Sequence, residues 1–66
     1  MEAIEKAKIR LEHWIDHNEH HYEEYSTFAD ELEKYGKTES ARYVREMMAL
    51  TAKSNTCLKE ALKFLE

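Results

Sequence analysis

All four histidines of this 66-residue chain fall within the nine residues from His13 to His21, in the segment His13-Trp14-Ile15-Asp16-His17-Asn18-Glu19-His20-His21-Tyr22. On a helix, His13, His17, His20 and Glu24 share one flank within about 60°, and His21 turns towards the seam with the facing helix. Imidazoles four residues apart can grip one ion, and imidazole suits Ni, Co, Cu or Zn. The single cysteine, Cys57, completes the candidate metal set His13, His17, His21 and Cys57 if the chain folds back so that Cys57 lies beside His17. A metal there would favour loss of the thiol proton. The spacing is not that of a zinc protease, because Trp14 follows His13. Nor does any Glu precede a His by three residues, as in di-iron bundles. The alternative is a solvated histidine-rich face beside acids.

The elements that must position these groups are helical. There is no Pro and one Gly, and Glu, Lys, Ala and Leu dominate. In the first half a heptad frame holds without a slip, with Ile4, Leu11, Asn18, Tyr25 and Leu32 at a and Ala7, Trp14, His21, Phe28 and Tyr35 at d. Helix 1 is expected over about residues 2–35. A break at Ser26 and Thr27, either of which could cap a new helix, is the competing reading. Gly36 ends the helix, residues 36–38 form the turn, and Thr38 with Glu39 reads as the N-cap and first acid of a helix over about 39–65. So short a link forces the helices antiparallel, with residue i near residue 74 − i.

Helix 2 carries Val44, Thr51, Leu58 and Leu65 at a, Met47, Ser54 and Ala61 at d, Met48 and Leu62 at e, and Tyr43, Leu50, Cys57 and Phe64 at g. Four apolar positions in seven make a stripe wider than one facing helix covers. The expected architecture is therefore an all-α, antiparallel two-helix hairpin in a single domain, residues 1–66, that pairs into a four-helix bundle. The partner is a second copy or another helical protein, with Tyr43, Met48, Leu50 and Phe64 as its docking face. Asn18, His21, Thr51, Ser54 and Asn55 fall at one level of both seams and form a polar core layer, which either fixes register or binds a ligand.

Sixty-six residues bury too little for an independent core much beyond about 3–5 kcal/mol, and one cysteine supplies no internal disulfide. The lone thiol fits a reducing cytoplasm. A net charge of −4 argues against nucleic acid as partner, and no apolar run is long enough for a membrane. The charge is unequally split: residues 1–35 carry ten acids and four bases, giving −6, and residues 36–66 carry four acids and six bases, giving +2. The halves should attract. With no phosphate loop and no nucleophile partnered by a base except Cys57 and His17, an enzyme is not expected.

The run from His13 to His20, followed by Tyr25 and an Ala- and Glu-rich helix, resembles a small uncharacterised archaeal and bacterial domain. Its members carry a similar His-Trp-Ile-x-His-Asn-x-x-His run on a helical hairpin. The matching positions are His13, Trp14, His17, Asn18 and His21. Some members follow a histidine-rich tract, which implies traffic in nickel, cobalt or zinc; this sequence has no such tract, which favours a discrete site, or none, over storage. The function expected from all of this is a small accessory protein that self-associates and binds Ni, Co or Zn through its histidines, the alternative being a purely structural interaction module without metal.

Overall fold

A computed structural model describes residues 2–65; Met1 and Glu66, the ends of the expected domain, lie outside the described residues. Two helices, α1 (Ala3–Lys34) and α2 (Thr38–Phe64), pack on each other as an antiparallel hairpin. α1 runs unbroken through Ser26 and Thr27, and the Thr27 hydroxyl donates to the Glu23 carbonyl one turn back. That bond removes the reason for a break, since the hydroxyl is spent inside the helix rather than on a cap.

The turn is a Schellman closure. Gly36 N–H donates to the Glu33 carbonyl at 2.9 Å and Lys37 N–H to the Leu32 carbonyl at 2.8 Å, with Gly36 at φ +78°. Lys37 is at once the last residue of this motif and the N-cap of α2, so Thr38 is already helical and caps nothing with its side chain. The expected Thr38 cap is thus displaced by one residue, because the closure leaves no free position between the helices.

The expected register is close to the observed one: Asn18 bonds Asn55, and Asp30 pairs with Arg45, each within one residue of the 74 − i rule. The rotation of the helices about their own axes is different from the expected a/d seam. The positions turned inward are a and e. In α1 these are Leu11, Ile15, Asn18, Tyr25, Ala29 and Leu32; in α2, Ala41, Val44, Met48, Thr51, Asn55, Leu58 and Leu62. Ala29 and Ala41 are wholly buried beside the turn, where a short link brings the backbones together. Only small side chains fit there, so Phe28 and Tyr35 at d are excluded and stand exposed.

The hairpin measures 51 × 17 × 10 Å, a slab one helix thick. Its radius of gyration, 15.4 Å, exceeds the roughly 11 Å of a compact chain of this length. Among the described residues no helix is long and apolar enough to cross a membrane.

Candidate functional site

Turning the seam to a and e gives the slab two unlike faces. Positions b and f lie to one side of the seam, where acids of α1 meet bases of α2: Lys59 Nζ lies 3.4 Å from Glu19, and Arg45 Nη2 lies 2.8 Å from Asp30 and 3.5 Å from Glu33. The charge asymmetry of the two halves is spent here, in exposed pairs worth little individually. An open groove on this face is lined by Asn18, Glu19, Tyr22, Thr51, Asn55 and Lys59.

The opposite face carries positions d and g. Helical geometry places there Trp14 and Phe28 of α1, Tyr35 at its C-cap, and Tyr43, Leu50 and Phe64 of α2, all exposed, Phe64 by 82%. Met48, expected in this docking face, is half-buried in the hairpin seam instead, because e is an inward position.

In the middle of the same face lies a connected histidine group. His21 Nδ1–H donates to Glu24 Oε1 at 2.7 Å. A carboxylate only accepts, so the Nε2 of a neutral His21 holds a lone pair, and it receives His17 Nε2–H at 2.8 Å. The ring of His21 also stacks on Tyr25, with centroids 5.8 Å apart and 11° between planes. His21 is thus held on three sides. His13 stands one turn further off, its ring centroid 5.9 Å from that of His17, and His20 lies 6.2 Å from His21.

Cys57 is exposed, and His17 and Cys57, both at g, are swung away from the seam. They would be neighbours only across an a/d seam. Accordingly His13, His17, His21 and Cys57 are not gathered into one site: among the described residues no three His, Cys, Asp or Glu groups of a single chain are placed to hold a metal ion. The sequence reading missed Glu24 as the partner of His21, although their i, i+3 spacing is the available signal.

The polar layer divides in the same way. Asn55, 7% exposed, accepts from Asn18 Nδ2 at 3.0 Å and donates through its own Nδ2 to the Ile15 carbonyl at 3.1 Å. Thr51 faces the seam but gives its hydroxyl to the Met47 carbonyl of its own helix, at 3.0 Å. Ser54 is exposed, and His21 belongs to the histidine group on the outer face. Away from both, Arg42 is held above its ordinary pKa by its hydrogen bond to Glu39.

A family model matches residues 7–65, which spans both helices, the histidine group and the Asn pair. The chain belongs to the DUF8180 family. The description of DUF8180 is a domain of unknown function, so membership fixes the extent of the domain and assigns no activity. Neither a curated protein nor a solved structure matches this DUF8180 chain.

Proposed function

We propose that this hairpin is a non-enzymatic assembly module that self-associates through its d and g face, two copies forming a four-helix bundle. The observation that carries the reading is the coincidence of missing burial and a specific apolar face. The chain exposes 5260 Å², whereas a compact protein of its mass exposes about 4,400 Å². The excess, roughly 850 Å², is what each partner buries in a standard interface of about 800 Å² a side.

A second copy is favoured by the self-complementarity of the face. The d residues of α1 are spaced evenly about His21. A two-fold axis at that level lays α1 antiparallel on its own copy, and Trp14 then meets Phe28, small Ala7 meets Tyr35, and His21 meets itself. The g residues complement each other in the same arrangement, Arg10 opposite Glu31 and His17 opposite Glu24. In α2 the same axis passes midway along the g repeat, between Leu50 and Cys57, which sets Tyr43 against Phe64. His21 and that midpoint lie at one level of the hairpin's own register, so one axis serves both helices.

The test is sedimentation equilibrium in EDTA of the wild type and of Trp14→Glu with Phe28→Glu, with circular dichroism on both. A dimeric wild type and a helical but monomeric variant support the proposal. A monomeric wild type, or a variant that still dimerises, overturns it.

A further inference from the structure

We infer that the His17–His21 pair is half of a divalent transition-metal site that the second copy completes; the inference rests on the self-association proposed above. Three features of the pair argue for it. First, the two Nε2 atoms lie 2.8 Å apart, and an ion at about 2.0–2.1 Å from each nitrogen would subtend on the order of 85–90° between them. That is the cis angle of square or octahedral coordination, as nickel and copper prefer, rather than the wider tetrahedral angle of zinc.

Second, the His21 ring is prepared for a ligand's role. Glu24 accepts the hydrogen bond of Nδ1–H and leaves the Nε2 lone pair facing His17, the same carboxylate–histidine relation that orients ligands in metal centres. The stacked Tyr25 fixes the ring plane. In the metal-free protein, with both rings neutral, the lone pair accepts a hydrogen bond from the His17 Nε2 proton. An ion takes the place of that proton, and His17 carries its proton on Nδ1 instead; nothing is oxidised or reduced.

Third, two ligands from one chain are too few. Within one chain no set of three is available among the described residues. The two-fold axis at His21 brings the copy's His17 and His21 to within about one turn of the first pair, which supplies the remaining donors. The site is then complete only in the dimer, and ion and dimer stabilise each other by linkage.

Isothermal titration with Ni²⁺, Cu²⁺ and Zn²⁺, read beside sedimentation with EDTA and with Ni²⁺, tests the inference. Expected are a dimer in EDTA, a smaller dimer dissociation constant with Ni²⁺, and tighter binding of Ni²⁺ than of Zn²⁺. His17→Ala should lose the site, and Glu24→Gln should weaken it about 10- to 100-fold. Trp14→Glu with Phe28→Glu should lose metal binding along with the dimer. A dimer in EDTA that gives no heat with any of the three ions, or Ni²⁺ binding unchanged by His17→Ala, overturns the metal site and leaves the dimer standing. A protein that is monomeric in EDTA overturns the assembly reading itself.

Discussion

Replacing Asn55 by Asp changes one atom pair in the hairpin seam and should nearly unfold the chain at neutral pH. Asn55 Nδ2 donates to the Ile15 carbonyl at 3.1 Å from a position only 7% exposed, while its Oδ1 accepts from Asn18. Asn55→Asp keeps the second bond and turns the first into an oxygen facing an oxygen. Loss of the bond costs about 1 kcal/mol, and a buried carboxylate with one oxygen set against a carbonyl adds about 1–3 kcal/mol more, so the loss is about 2–4 kcal/mol at pH 7. Against the roughly 3–5 kcal/mol that so small a core provides, this leaves little. The sign with pH is fixed. Burial beside a carbonyl raises the folded-state pKa of the introduced carboxyl above its unfolded value of about 3.9. The destabilisation is therefore full above the folded pKa and fades as pH falls through it towards the unfolded value, where a protonated carboxyl can donate to Ile15 again. Urea unfolding followed at 222 nm, variant against wild type at pH 7 and pH 4, gives the difference directly. A loss below about 0.5 kcal/mol, or the same loss at both pH values, would refute the role given to Asn55.

Other expectations follow from the same geometry. Ile15→Ala, at a site 8% exposed, should cost about 2–4 kcal/mol, and Ile9→Ala, at 52% exposed, less than about 1 kcal/mol; equal losses by urea titration would reject the a/e seam. Gly36→Ala meets no atom within 4 Å of the new Cβ, so its cost is the backbone strain at φ +78° alone, about 1–2 kcal/mol, and Gly36→Asn should cost less. Arg45→Met removes the pairs with Asp30 and Glu33, and the loss should stay under about 1 kcal/mol and shrink in high salt. Metal uptake should weaken as pH is lowered, since ligand imidazoles bind in their neutral form; titrations at pH 8 and pH 6 with equal affinity would contradict this.

Helix number, turn and register are legible in the sequence because each rests on local chemistry: an unbroken frame, a single glycine able to hold positive φ, and a link too short for anything but an antiparallel return. The rotation of the seam is less legible, because both d and e carry apolar residues. Large aromatics at d, Trp14, Phe28 and Tyr35, draw the eye. Burial goes instead to Ala29, Ala41 and Ile15, which allow the helices to approach. Two serines, Ser40 and Ser54, at d of α2 are the signal that the inward face lies elsewhere. The same rotation by one position explains why Cys57 is not beside His17, why Met48 lies in the seam, and why the aromatics lie free on one side of the slab. That Asn18 and Asn55 lie at one level follows from register alone. The bond from Asn55 to a carbonyl of the facing helix does not, since it depends on that rotation.

A second copy covering the d and g face is what gives this hairpin its stability and its role. Sedimentation equilibrium of the unmodified chain in EDTA, over a wide range of concentration, measures this most directly. A mass twice the 7.9 kDa of one chain, falling to a single chain on dilution, is the predicted result. One folded chain of single mass at every concentration would contradict it.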